Sequence, residues 1–173
     1  CCIAQGVGAQ TGKIYTTDMG LSSSLINQIF QDKQGFVWVA TEYGLNKFDG
    51  LRFTNYRHVS ADSSSIKNNY VRTLFEDSRC NLLIGCIDGL MKYDRETDTF
   101  LEIPMFRAGK RVFPHITQMQ ELHNGEIGMT TIGQGMFRLD ERQTQAVSVD
   151  DLLKQSNYNF QSFFYEDSYY NIW

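Results

Sequence analysis

The sequence predicts an all-β fold made of four-stranded antiparallel units that repeat along the chain. Three observations lead to this prediction: a motif recurs every 45 residues, its segments are short and apolar or alternating, and turn residues separate them. Aromatic residues make up 13% of the chain and proline occurs only twice, a composition that favours strands. With 173 residues the chain is long enough to bury a substantial core.

The repeat becomes visible when IFQDKQGFVWVATEYGLNKFD is placed over LFEDSRCNLLIGCIDGLMKYD. The two segments align without a gap, and Asp32 meets Asp77 at an offset of 45 residues. The copies cover residues 29–49, 74–94 and 119–140, the third with a one-residue insertion, and a fourth begins at residue 164. A period near 45 is typical of a four-stranded propeller blade or of a helical pair.

Strand chemistry favours the blade, because the apolar runs are about five residues long and end at turn residues instead of helix caps. For the first copy we predict strands at Ile26–Gln31, Phe36–Thr41, Leu45–Phe48 and Phe53–Arg57. The expected units are an N-terminal outer strand within 10–19 (Lys13–Thr17), blades at 20–63, 64–110 and 111–156, and the start of a fourth at 157–173. The expectation is therefore an incomplete ring of about three and a third blades, poorly stable alone or associating through its exposed edges.

The repeated residues have structural roles in this interpretation. Asp32 to Gly35 is predicted to be a tight turn in which the aspartate accepts hydrogen bonds from backbone amides. Asp49-Gly50 is predicted to begin the hairpin to the outer strand. Gly44, Gly89 and Gly135 are expected where another backbone passes closely, and Trp38 and Trp173 are expected to pack between blades.

The N-terminal residues CCIAQGVGAQ carry no charge, and Val7-Gly8-Ala9 places small residues as a signal-peptidase site requires. We interpret residues 1–9 as the remnant of a secretory signal. An ordinary N-terminus and a lipid-carrying cysteine at Cys1 or Cys2 remain alternatives.

Composition excludes some partners. The formal net charge is −4, so we expect no contact of this segment with nucleic acid and no basic helix for a lipid surface. No apolar run is long enough to span a membrane. Cys80 and Cys86, if they share one strand, are separated by about 20 Å and are not expected to form a disulfide.

The motif D-x-x-G-x-x-W-x-x-T-x-x-G-L-x-x-x-D-G in residues 32–50 resembles the two-component-regulator propeller repeat. The second copy departs from it at Cys80 and Leu83, and the third at Gly128. The resemblance implies the N-terminal part of the periplasmic sensor region of a Bacteroidetes-type hybrid two-component system. It also implies signalling domains elsewhere in the protein and detection of an oligosaccharide for the control of polysaccharide use.

Candidate ligand-binding residues lie in loops that a propeller gathers at one face. These loops are Glu42–Tyr43, Ile87–Asp88, Ile132–Gln134, His58–Asn69 and Phe106–His115. Tyr43 could stack on a sugar ring, and polar side chains could bind hydroxyl groups. The predicted ligand-binding residues are Glu42, Tyr43, Asn69, Asp88, His115 and Gln134.

Two other functions stay open: a secreted propeller enzyme such as a lyase or glycosidase, and a protein-docking propeller. The acids that stand out are repeated, and the three histidines are irregularly spaced, so we predict no catalytic residues, metal or cofactor. The expected partners are an oligosaccharide, the remaining blades of the same protein, and a second copy in a homodimer.

Overall fold

The computed structural model describes residues 12–149 and 164–173, and within them nearly all regular structure is strand. The first sheet contains β1 (Ile26–Gln31), β2 (Val37–Thr41), β3 (Gly44–Phe48) and β4 (Phe53–Tyr56). The second contains β5 (Val71–Glu76), β6 (Leu82–Cys86), β7 (Gly89–Asp94) and β8 (Thr99–Ile103). In both sheets the strands are antiparallel and follow sequence order, which confirms the predicted all-β fold of four-stranded units.

The third sheet has six strands. They are β9 (Met105–Arg107), β10 (Lys110–Val112), β11 (His115–Glu121), β12 (Ile127–Ile132), β13 (Gly135–Leu139) and β14 (Ala146–Ser148). Their order is β10-β9-β14-β13-β12-β11, and β9 runs parallel to β14. The outer edge of this sheet is therefore supplied by a hairpin that precedes its other strands in the sequence.

The predicted loop at Phe106–His115 is wrong, because most of it forms the β9–β10 hairpin. Ala108 and Gly109 both have positive φ, as the two central residues of a tight hairpin turn require. Buried Met105 anchors the hairpin in the core beneath the third sheet. Residues 105–112 thus belong to the third sheet, although the predicted boundary at residue 110 assigned most of them to the second blade.

The predicted N-terminal strand at Lys13–Thr17 is not a strand either. Residues 12–16 have no regular structure, and Thr17–Met19 form one turn of 3-10 helix. The Tyr15 ring instead packs edge-on against Phe48 and Phe53, with ring centroids 4.9 and 5.7 Å away. The aromatic contact holds this segment against the first sheet without a strand ladder. The predicted signal remnant at 1–9 lies outside the described residues.

The apolar core is divided into clusters that lie between successive sheets. Trp38 is fully buried, stacks on Tyr56 of its own sheet and packs edge-on against Tyr93 of the next one. This confirms its predicted role in inter-blade packing. Trp173 differs: it is 75% exposed, so its predicted packing between blades is not found in the described residues.

We call β1, β5 and β11, the first strands of the three units, the inner strands, because the units contact one another through them. Glutamates in the inner strands, and at the equivalent position 166, connect each unit to the preceding one. Each carboxylate accepts a hydrogen bond from a backbone N–H group in the turn between the first two strands of the preceding unit. The pairs are Lys33 to Glu76 (2.7 Å), Ser78 to Glu121 (2.7 Å) and His123 to Glu166 (2.9 Å). Donors and acceptors both recur every 45 residues. The repeat therefore encodes the contact between blades as well as the blade itself.

Glutamine side chains make contacts in the opposite direction, from the middle of one inner strand to the following unit. Gln28 donates to the carbonyl oxygen of Leu74 at 3.0 Å and accepts from its N–H at 2.7 Å. Gln118 makes the same pair of bonds with Phe164, at 3.1 and 2.9 Å. These bonds satisfy backbone groups of the following inner strand that its own ladder leaves free.

The Asp32 carboxylate accepts hydrogen bonds both within its own turn and from other side chains. Its Oδ1 accepts from the N–H groups of Gln34 and Phe36, which confirms the predicted turn. Its Oδ2 accepts from Trp38 Nε1 at 2.9 Å and from Arg95 of the second sheet at 2.8 Å. Burial alone would raise the pKa of Asp32, but the hydrogen bonds from Trp38, Arg95 and Phe36 together hold it below its ordinary value.

The equivalent Asp77 repeats this arrangement with different partners. It accepts from the N–H and side-chain amide of Asn81, and from the Gln143 amide of the third sheet at 2.5 Å. Gln143 thus occupies the place of Arg95 without a charge. The hydrogen bond from the following sheet to the turn aspartate is therefore kept, although a different residue type donates it.

Cys80 stands where the first copy has Gly35, and it adopts the same left-handed conformation, with φ of 65° against 92°. A side chain in this region costs about 1 kcal/mol, part of which is offset because glycine is more flexible when unfolded. We expect Cys80→Gly to raise the free energy of unfolding by about 0.5 kcal/mol in urea denaturation. Cys80→Ala, which keeps the Cβ atom, should give no gain; a loss of stability in the glycine variant would contradict this account.

Candidate functional site

The candidate site lies along the edge of the sheets where the second and third strands of each unit are joined. The joining turns are 42–43, 87–88 and 133–134. The inner strands begin at the same edge, since Ile26 pairs with Thr41, Val71 with Cys86 and His115 with Ile132. We use the name turn edge for these turns together with the beginnings of the three inner strands. It includes the residues just before and just after each of those strand beginnings. The third turn is one residue shorter than predicted because β12 continues through Ile132.

Each inner strand carries a β-bulge immediately after it begins. The register shifts lie between Ile26 and Gln28, between Val71 and Thr73, and between Ile116 and Gln118. The extra residues are Asn27, Arg72 and Thr117, which are 45 residues apart. Bulges of this kind re-aim a side chain and are common next to binding sites. Three unlike side chains therefore occupy one repeated, bulged position at the turn edge.

Tyr43 is the most exposed of the predicted site residues, with 59% of its surface accessible. Thr41 fixes the turn beneath it, because its hydroxyl donates to the carbonyl of Gly44 and accepts from the N–H of Tyr43. Gly44 is required there, since a Cβ atom would lie 2.7 Å from the carbonyl oxygen of Tyr56. Glu42 is half-buried, and its N–H donates to the carbonyl of Leu25. The turn is thus rigid and presents an aromatic ring.

Asn69 has a structural task in the connection between the first two sheets. Its side-chain oxygen accepts from the N–H of His58, and its carbonyl oxygen accepts from the N–H of Gly44 at 2.7 Å. Fully buried Ile66 anchors the same connection. The side-chain oxygen of Asn69 is therefore already engaged within the chain.

Asp88 and His115 each have a buried side-chain atom without a hydrogen-bond partner. In Asp88 this atom is Oδ1, while Oδ2 accepts from the Asn68 amide at 3.2 Å. In His115 it is Nε2. Burial, and secondarily the charge of Arg72, lower the pKa of His115, so the ring is neutral at pH 7. Buried polar atoms of this kind are rare unless something else completes them.

Residues 68–70 link the first and second turns and His115, since Gly44 of the first turn donates to the Asn69 carbonyl and the Asn68 amide donates to Asp88. Tyr70 connects the second turn with His115: its carbonyl oxygen accepts from the N–H of Ile87, and its ring lies edge-on to that of His115 with centroids 6.0 Å apart. Gln134 is half-buried in the third turn. Sequence reasoning missed Tyr70 and Arg72, although Tyr70 stands 45 residues before His115 and could have been found by extending the repeat comparison.

Stacked antiparallel sheets that contact one another through inner strands define the chain as part of a β-propeller. Residues 20–43 match the family described as two component regulator propeller, which confirms the resemblance predicted from the motif. A fold comparison gives the extracellular domain of a hybrid two-component system from B. thetaiotaomicron, with a TM-score of 0.76 and 26% identity over 89% of this chain. A second such extracellular domain from B. thetaiotaomicron has a TM-score of 0.73 at 20% identity over 86% of the chain.

Two further proteins resemble this chain over a shorter segment or at lower sequence identity. Histidine kinase P4 of Formosa agariphila is 52% identical over 54 residues, 31% of this chain and 4% of that protein. A streptogramin B lyase shares the fold at 15% identity, with a TM-score of 0.62 over 89% of this chain and 49% of that one. The chain covers 22% of each of the two B. thetaiotaomicron domains. The chain therefore spans under a quarter of the length of these extracellular domains.

Proposed function

We propose that this chain is part of the periplasmic, ligand-sensing propeller region of a sensor kinase and response regulator hybrid, and that its ligand is an oligosaccharide. The observation that carries the proposal is the match of 89% of the chain to an extracellular domain of a hybrid two-component system. Within the described residues no helix is long and apolar enough to cross a membrane. The proposed role is recognition without turnover.

The turn edge supports the oligosaccharide part of the proposal. Sugars are bound by aromatic rings that stack on their apolar faces and by polar groups that bind their hydroxyls. Tyr43 supplies an exposed ring, and Asp88 and His115 supply buried polar atoms that are not yet paired. The repeated residues, by contrast, are occupied in turns and inter-blade contacts.

The binding experiment is calorimetric titration of the chain with a panel of neutral and acidic oligosaccharides, followed by mass spectrometry of the recovered sugar. Saturable binding with the sugar returned unchanged supports sensing. Shortened or eliminated products would favour a propeller enzyme instead, and the absence of binding across the panel would overturn the proposal.

Tyr43→Ala is expected to weaken oligosaccharide binding by about tenfold, because one stacking contact contributes about 1–1.5 kcal/mol. The melting temperature should stay within about 1 °C of the parent, since an exposed side chain contributes little to stability. Tyr165→Ala is a matched control, because Tyr165 is 64% exposed and lies outside the turn edge. Equal affinities for Tyr43→Ala and the parent would remove Tyr43 from the site.

We also propose that further blades of the same protein, or a second copy of the chain, cover residues 164–173. Trp173 donates to Asp167 at 2.9 Å just as Trp38 donates to Asp32. Trp38 is enclosed by the following sheet, whereas Trp173, Tyr169 and Tyr170 are exposed. A following blade is the occupant that the earlier inter-blade contacts would fit.

A further inference from the structure

Arg72 is a residue at the turn edge whose situation, like that of Asp88 and His115, the fold does not explain. It occupies the bulge at the start of β5, where the other sheets have Asn27 and Thr117, and it is exposed. In the described ranges it lies within ion-pair distance of no carboxylate, and its guanidinium donates a hydrogen bond to Asn27 Oδ1 at 3.4 Å. Arg79, Arg95, Arg111 and Arg138, in contrast, are each paired with a carboxylate.

The surroundings of Arg72 have the composition of a binding site. Tyr70 lies two residues before Arg72, its ring packs edge-on against that of His115, and Nε2 of His115 is buried and without a partner. The charge of Arg72 also contributes to lowering the pKa of His115. Asn27 is held in place because its amide donates to the carbonyl oxygen of Val71 at 2.8 Å. A guanidinium with five donors in a rigid fork is suited to bidentate binding of a carboxylate or sulfate group.

We propose that Arg72 binds an acidic group of the ligand, and that the ligand is an oligosaccharide carrying a uronate or sulfate group. This inference rests on the proposed function and specifies the class of sugar. Asp88, in the neighbouring turn, is a hydroxyl acceptor and disfavours a small inorganic anion. A sugar that presents hydroxyl groups and one acidic group would satisfy both residues.

The test is calorimetric titration of the chain with three probes of similar length: tri-galacturonic acid, a κ-carrageenan tetrasaccharide, which carries sulfate but no carboxylate, and neutral galactotriose. We expect one of the acidic probes to bind and galactotriose to bind at least tenfold more weakly. Which acidic probe binds distinguishes carboxylate from sulfate. Arg72→Met should weaken the acidic complex by about tenfold to a hundredfold, the range for loss of one charge-assisted pair.

Two variants serve as comparisons. Arg52→Met removes the same charge from the far end of the first sheet, where the Arg52 side chain is 86% exposed, and should leave affinity unchanged. Arg72→Lys keeps the charge but loses the fork, and should give an intermediate affinity with an unchanged melting temperature. Binding of galactotriose that is insensitive to Arg72→Met would overturn this inference and leave the proposed function intact. Failure of all three probes together with the wider panel would overturn the proposed function, and this inference with it.

Discussion

Arg95→Met is expected to destabilise the chain by about 3 kcal/mol, the scale for removing one partner of a buried ion pair. Arg95 lies between two sheets and binds Asp32 at 2.8 Å and Glu76 at 2.7 Å, both with side chains at most 2% exposed. Methionine fills a similar volume but leaves two buried carboxylates without their cation. The measurement is urea denaturation followed by tryptophan fluorescence, since Trp38 shares Asp32 with Arg95.

Arg52→Met is the matched control for Arg95→Met. Arg52 and Asp49 form an ion pair at 3.6 Å with side chains 86% and 37% exposed. Exposed pairs of this kind contribute about 0–1 kcal/mol, so the variant should unfold at nearly the same urea concentration as the parent. Equal losses in the two variants would show that the contact between sheets does not depend on the Arg95 network.

Asp32→Ala is expected to cost about 3 kcal/mol, more than a turn residue alone would account for. Loss of one turn hydrogen bond costs about 1–2 kcal/mol. The structure adds the Trp38 indole and the Arg95 guanidinium, whose buried donors the variant leaves unpaired. Differential scanning calorimetry of parent and variant measures the difference.

Asp167→Ala is the comparison for Asp32→Ala, because Asp167 accepts the same turn bonds and an indole N–H but is only half-buried, whereas Asp32 is buried. Its substitution should have a much smaller effect. A loss as large as that of Asp32→Ala would mean that the turn itself, and not burial between sheets, sets the stability.

Acid pH tests the Asp32 network independently. The pKa of Asp32 is lower in the folded chain than its ordinary value of 3.8. The stability it contributes is therefore present above about pH 4 and is lost as the pH falls through the folded pKa. Asp32→Asn should reduce the dependence of unfolding free energy on pH below about pH 4, and an unchanged slope would contradict the lowered pKa.

The sequence predicted the parts of the fold that repeat. The strands of the first copy agree with the structure to within one residue at each end, because Asp32, Gly35 and Gly44 mark turns that leave little freedom in register. The β9–β10 hairpin was missed because its turn residues, Ala108 and Gly109, lack the Asn-Gly or Asp-Gly signal of a tight hairpin. Its parallel pairing with β14 is a long-range contact that no local pattern encodes.

The contacts between blades were only partly accessible from sequence. Glu76, Glu121 and Glu166 recur every 45 residues, and the same comparison that aligned the aspartates could have shown them. Arg95 has no such signal, since its counterpart in function is Gln143, a different residue type at a different place in its hairpin. Side chains that meet only after blades dock cannot be paired from the repeat alone.

The residues of the candidate site were also only partly predictable from the sequence. Tyr43 was correctly expected in a turn, and the structure shows its exposure. Asn69 was predicted from its polar character, but its side-chain oxygen accepts the backbone N–H of His58. Arg72 was overlooked because a β-bulge changes the direction of one residue in an otherwise regular strand, and bulges are not visible in hydrophobic alternation.

The central claim is that repeated residues build the propeller and non-repeated residues at the turn edge bind the ligand. It is tested most directly by measuring thermal unfolding and oligosaccharide affinity together for Asp32→Asn and Tyr43→Ala. We predict that Asp32→Asn lowers the melting temperature and leaves affinity unchanged below that temperature, while Tyr43→Ala weakens binding about tenfold without changing the melting temperature. Unchanged melting with abolished binding in Asp32→Asn would contradict the claim.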